Sequence, residues 1–174
     1  MKNRKNRIII PFSSLKNGIH EFNYTLDSTF FDQFDYSMIK EATVEIVVQF
    51  EKRKTFFKLA FEIMGSVDSA CDRCNDTLKI SIDGIEHLLV KFGNEDEEQP
   101  TEIKIIPENA YELDITEDIY EFTHLQLPAK IEHKSIVDCN PIIIKKLNSL
   151  QKNKESTEVD PRWSKLQELN EKRK

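Results

Sequence analysis

Apolar and polar residues alternate with a period of two along much of the first half of this chain. Over residues 43–50, Val44, Ile46 and Val48 share one face, with Thr43, Glu45 and Gln49 opposite. Between 55 and 67 the alternation recurs, with Phe57, Leu59, Phe61 and Ile63 against Lys58, Ala60 and Glu62. Both stretches predict half-buried strands, because successive strand side chains point to opposite faces. The charged Lys52-Arg53-Lys54 between them suits a hairpin end. Leu78, Ile80 and Ile82, alternating with Lys79, Ser81 and Asp83, predict a further strand, and the pattern resumes over Leu88 to Phe92. Ahead of these, residues 7–12 read as an opening strand ended by proline, and Ile19, Phe22 and Tyr24 mark a short strand after an Asn17-Gly18 turn. The expected arrangement is an antiparallel meander.

The period changes in the second half. Asp114 as N-cap with Glu117 three residues on forms a capping-box pattern, and Ile115, Ile119, Phe122 and Leu125 recur at helical spacing until Leu127-Pro128. This predicts a helix over 114–126. Asn140-Pro141 is a second start signal, a capping side chain followed by proline at the first helical position. It opens a helix over 141–151 with an apolar stripe of Ile143, Leu147 and Leu150. Asp160-Pro161 repeats the device for a helix over 161–171, striped by Trp163, Leu166 and Leu169. Earlier, Asp27-Ser28 can cap a short helix carrying Phe30, Phe31 and Phe34. The fold class is therefore α+β: a largely antiparallel twisted sheet or partial barrel with a central helix and C-terminal helices. Residues 1–150 form one α+β domain, and 151–174 a linker and C-terminal helical tail.

At 174 residues the chain is long enough for a core that needs no disulfide staples. It holds three cysteines, an odd number, which disfavours a secreted disulfide framework. Ile8-Ile9-Ile10 is too short for a secretory apolar region, and no stretch approaches the roughly 20 apolar residues that span a bilayer. These features point to a soluble cytoplasmic protein with no membrane partner.

Net charge is −6, which disfavours nucleic acid until its distribution is considered. Residues 95–121 hold eleven acidic residues against Lys104 alone, a balance of −10, leaving +4 for the rest of the chain. Basic residues gather at both ends and at 52–54. Solvated faces account for such runs in many proteins. The sharper reading is a molecule with one side that tolerates RNA and one that repels it.

No glycine-rich phosphate loop, H-E-x-x-H or G-x-S-x-G occurs, and His20, His87, His124 and His133 are scattered. The chain does not read as an enzyme and implies no small-molecule substrate. The chemistry-bearing element is Cys71-Asp72-Arg73-Cys74, whose spacing lets both sulfurs enter one small volume. Strands on both sides make it resemble a metal knuckle more than a thioredoxin site, which would open a helix. A tetrahedral zinc site needs four donors; Cys139 is the candidate third and His133 the fourth. The alternative is a pair of turn cysteines packed as small hydrophobic groups.

These residues also carry a resemblance. Cys71-Asp72-Arg73-Cys74 at a strand end resembles the C-x-R-C turn of the YceD family. Leu113-Asp114-Ile115 opening a helix that closes on Leu125-Gln126-Leu127-Pro128, followed by His133 and Cys139, is similar to that family's central helix and its downstream histidine and cysteine. Asp160-Pro161-Arg162-Trp163-Ser164-Lys165-Leu166 resembles its C-terminal helix motif. The motifs span about residues 60–174.

The resemblance implies a non-enzymatic ribosome-biogenesis factor that supports synthesis, processing or stability of large-subunit (23S) ribosomal RNA. The implied partners are that RNA, a pre-ribosomal particle or ribosomal proteins. Candidate RNA or partner contacts are Arg73 in the cysteine turn and Asp160, Pro161, Arg162, Trp163 and Lys165 in the C-terminal motif. A second reading is an acidic interaction module that contacts basic ribosomal proteins through Glu95, Asp96, Glu97 and Glu98 without binding RNA. A third is a thiol redox protein, which requires a depressed thiol pKa and a reversible Cys71–Cys74 disulfide.

Overall fold

The computed structural model describes residues 6–93 and 103–150. The expected alternation builds three long strands, β3 (Glu41–Lys52), β4 (Phe56–Ala70) and β5 (Thr77–Phe92), preceded by β1 (Ile9–Ile10) and β2 (Gly18–Asp27). Strands β2 to β5 form an antiparallel meander, and the segments expected separately at 78–83 and 88–92 are one continuous strand. A short strand the alternation did not reveal, β6 (Ile103–Ile106), adds in parallel beside β5, so the sheet order is β2-β3-β4-β5-β6. The two edges, β2 and β6, do not pair, so the twisted sheet is open and the partial-barrel alternative is set aside.

Strand periodicity places the core. Phe57, Leu59, Phe61 and Ile63 of β4 and Val44, Ile46, Val48 and Phe50 of β3 are all at most 1 % exposed and share one face of the sheet. Rings of Phe12, Phe50 and Phe92 gather around Phe57, with centroids 4.7 to 5.2 Å away. Aromatic rings bury large areas, so this cluster carries much of the core's hydrophobic stabilisation.

Two helices close that face. α1 (Ser28–Phe31) is capped by Asp27, whose carboxylate accepts from the Thr29 N–H at 3.0 Å, and it drives Phe30 and Phe31 inward. α2 (Thr116–Leu125) buries Ile119 and Tyr120, stacks Tyr120 on Phe34 at 3.9 Å and sets Phe122 against Phe61. The helix begins later than the capping box suggested. Asp114 belongs to β7 (Leu113–Asp114), paired with β1, yet its Oδ1 still accepts from the Thr116 N–H at 2.9 Å. Where α2 ends, Gln126 lies over Gly84 of β5 and donates to Glu86 at 2.9 Å; a Cβ on Gly84 would stand 1.8 Å from the Gln126 oxygen. Lys104, the single base of the acidic run, ties β6 to this layer by donating to the Asp118 carboxylate and, at 2.9 Å, to the Asp114 carbonyl.

α3 (Pro141–Leu150) lies apart from that core. Asn140 caps it by accepting from the Ile142 N–H at 3.1 Å. Its expected apolar stripe is only partly used. Ile143 and Ile144 are half-buried, whereas Leu147 and Leu150 are exposed, because the surface beneath the helix is a small patch of cysteines at its first turn. No helix among the described residues is long and apolar enough to cross a membrane. The expected tail helix over 161–171 lies outside the described residues.

Candidate metal centre

The turn after β4 is built by its own backbone. The Asn75 N–H donates to the Cys71 carbonyl at 2.7 Å and the Cys71 N–H to the Asp76 carbonyl at 2.8 Å. Asn75 takes φ 62°, a left-handed conformation that asparagine tolerates better than most residues. The chain thereby reverses within the turn and enters β5, leaving Cys71 and Cys74 on its inner side, each 2 % exposed.

The two residues between the cysteines clip a distant segment onto this turn. The Asp72 N–H donates to the Ile131 carbonyl and its carboxylate accepts from the Ile131 N–H, both at 2.7 Å. Arg73 forms an ion pair with Glu132, which also meets Lys130 at 2.8 Å. These contacts span about sixty residues of chain and deliver the neighbouring His133 to the sulfurs. A short 3-10 turn, Ile136–Asp138, capped by Ser135, then brings Cys139 into the same cluster.

Cys71, Cys74, His133 and Cys139 converge, with their donor atoms all within 4.8 Å of one another. His133 Nδ1 lies 3.6 Å from the sulfurs of both Cys74 and Cys139. Zinc bonds of about 2.3 Å to sulfur and about 2.0 to 2.1 Å to nitrogen, at tetrahedral angles, set such pairs about 3.6 Å apart. Three thiols with one imidazole are also the donor set that structural zinc takes. All three cysteines are free, so no disulfide competes for the sulfurs. The residues present fit the group.

Electrostatics at the sulfurs are uneven. Burial pushes the Cys71 thiol up, but the Arg73, Cys74 and His133 backbone N–H groups and the His133 ring direct hydrogen bonds at it, and its pKa falls to about 6. Cys139 moves the other way: burial and the neighbouring Cys74 raise it, against the Arg73 guanidinium, which donates to its sulfur at 3.5 Å. Arg73, a candidate RNA contact from sequence, thus has its guanidinium turned inward between Glu132 and Cys139, with the side chain 22 % exposed. Asp160, Pro161, Arg162, Trp163 and Lys165 lie outside the described residues. Asp72, Ile131 and Glu132 were not singled out from sequence. Their partners are far apart along the chain, and no local sequence signal pairs them.

The site also organises a small separate core, in which Ile143 and Ile144 of α3 pack on the three cysteines. Among known proteins, the family described as large ribosomal RNA subunit accumulation protein YceD matches residues 59–170, which covers the four candidate donors and more than half of the chain. No curated protein matches, and no solved structure matches.

Proposed function

The chain belongs to the YceD family, the large ribosomal RNA subunit accumulation proteins, and on that premise we propose that it supports large-subunit ribosomal RNA as a non-catalytic cytoplasmic factor that contacts the assembling subunit. The family supports a role in ribosome biogenesis in general. The finer reading rests on the convergence of Cys71, Cys74, His133 and Cys139 within 4.8 Å. Four protein donors would leave zinc no open position, and closed sites serve structure rather than catalysis. When bound, the metal would supply a rigid joint between the β4–β5 hairpin and α3. The chain's own residues do the rest: Asp72 fixes the approach of residue 131, Arg73 holds Glu132 and the Cys139 sulfur, and α3 is presented outward for a partner.

Depletion of the protein tests this directly. The ratio of large-subunit to small-subunit ribosomal RNA is expected to fall and to recover when the parent chain is restored. An unchanged ratio would overturn the reading.

Arg73→Ala separates an internal role for this side chain from a role in binding RNA. It removes a donor to a ligand sulfur, and loss of such supporting groups typically weakens metal affinity about 10- to 100-fold. Competition with a graded chelator is expected to show that loss, with Arg73→Lys intermediate because one ammonium cannot span Glu132 and Cys139. Unaltered zinc retention in Arg73→Ala would contradict it.

A thiol-exchange reading draws on the lowered Cys71 pKa. A thiolate serves a metal equally well, and sulfurs only 2 to 4 % exposed offer an attacking disulfide little access. Thiol titration of the protein as purified, without chelator, is expected to give slow modification of all three; a rapid, reversible Cys71–Cys74 disulfide would favour redox chemistry instead.

A further inference from the structure

The sheet has a second face that no described element covers. It carries the alternate residues of β2 to β5, among them Ile19, Met64 and Ile85, which are 73, 40 and 62 % exposed. The strand register shows what surrounds them. Met64 lies between Glu45 of β3 and Asp83 of β5, with Glu62 two residues along its own strand. Ile85 pairs with Glu62 and follows Asp83 by two. The centre of the face is therefore apolar groups interleaved with carboxylates.

The basic residues of the face stand elsewhere. Lys58 has Glu51 as its register partner, Lys79 has Asp68, and Lys91 stands at the far end of β5 opposite Phe56. The central acids have no such neighbour: Glu45 faces Thr25 and Met64, Glu62 faces Val47 and Ile85, and Asp83 faces Met64. Among the described residues, no ion pair is made by these three.

We propose that this open face is the docking surface for an extended lysine- or arginine-rich segment of a protein partner. The chemistry matches on both counts. Lysine and arginine stems can lie on Met64 and Ile85 while their charged heads reach Glu45, Glu62 and Asp83. A phosphate backbone would meet only like charge there, which excludes RNA as the occupant. The proposal rests on the reading of the chain as a factor acting on the assembling subunit and adds the surface and the class of partner. It moves the acidic contact from residues 95–98 to the sheet.

The test uses the full chain and a labelled twelve-residue peptide alternating lysine with valine, at physiological salt. Binding is expected to weaken about tenfold when Glu45→Gln, Glu62→Gln and Asp83→Asn are combined, since each exposed pair contributes modestly. These side chains are exposed, so the melting midpoint of the triple variant should match the parent and separates lost binding from lost fold. A control replacing Glu95, Glu97 and Glu98 with Gln and Asp96 with Asn is expected to bind as the parent does. Loss in the control but not in the triple variant would overturn the proposal. So would tighter binding of a single-stranded RNA to the parent than of the peptide. No peptide binding by the parent, as when its own basic ends fill the face, would overturn it too. Failure here is distinguishable from failure of the wider reading: a triple variant that binds normally while depletion still lowers the ribosomal RNA ratio sinks only the docking surface.

Discussion

Chelation at the proposed zinc centre is expected to release residues 131–150 while the five-stranded sheet stays folded. The reason is how differently the two parts are held. Strands β3 to β5 are paired along their length and cover a core whose phenylalanines and isoleucines are almost fully buried. α3 has only ten residues, and the small core beneath its first turn is three cysteines and two half-buried isoleucines. An isolated helix of that length is marginal in water. Apparent binding energies of structural zinc run to about 10–16 kcal/mol in small domains, far more than such a patch supplies by apolar contact. Hydrogen exchange after chelation should therefore show fast amides through 131–150 and unchanged protection in β3, β4 and β5. Cys139→Ser should do the same without chelator, because it removes one of four donors at the joint. Uniform loss of protection would mean that the centre holds the whole fold; none at all would mean that it holds nothing.

The second large effect lies inside the sheet. Gly65 stands in the middle of β4 at φ +155°, and a Cβ there would meet the Thr43 carbonyl oxygen at 2.2 Å and the Val44 Cα at 2.8 Å. Both are backbone atoms of the adjacent strand, so neither can turn away as a side chain would. Gly65→Ala is expected to cost about 3 kcal/mol or more, combining overpacking with an unfavourable backbone conformation. At about 2–4 °C per kcal/mol for a chain of this size, the melting midpoint should drop by roughly 10 °C. Gly18 supplies the control: it has φ +137° but open space where a Cβ would stand. Gly18→Ala should lose only the conformational part, about 1–2 kcal/mol. Equal losses at the two positions would show that strand contact is not what glycine secures at 65.

Much of this fold was legible in the sequence because its signals are local. Phe57, Leu59, Phe61 and Ile63 alternate over a half-buried strand, and Asn140-Pro141 announces α3 through a cap that needs no distant partner. β6 was hidden because Ile103–Ile106 pairs in parallel with β5, and its four residues follow an acidic run that carries no strand period. The start of α2 was misplaced for a related reason: Ile115, not Asp114, is the N-cap, and although the Asp114 carboxylate accepts from the Thr116 N–H, its backbone pairs with Ile9, a contact across most of the chain. At the metal centre, the four donors could be named from residue type and order. What brings them together could not. Asp72 meeting Ile131 and Arg73 meeting Glu132 are contacts between segments whose proximity only the folded chain reveals. Arg73, part of the recognisable cysteine turn, and Asp72 beside it turn out to hold the other half of the site.

Metal analysis of the intact purified protein tests that centre most directly. One zinc ion per chain is expected by mass spectrometry under native conditions, falling to none when Cys71 and Cys74 are both replaced by serine. A metal-free chain whose α3 amides are as well protected as those of the zinc-loaded protein would contradict the account.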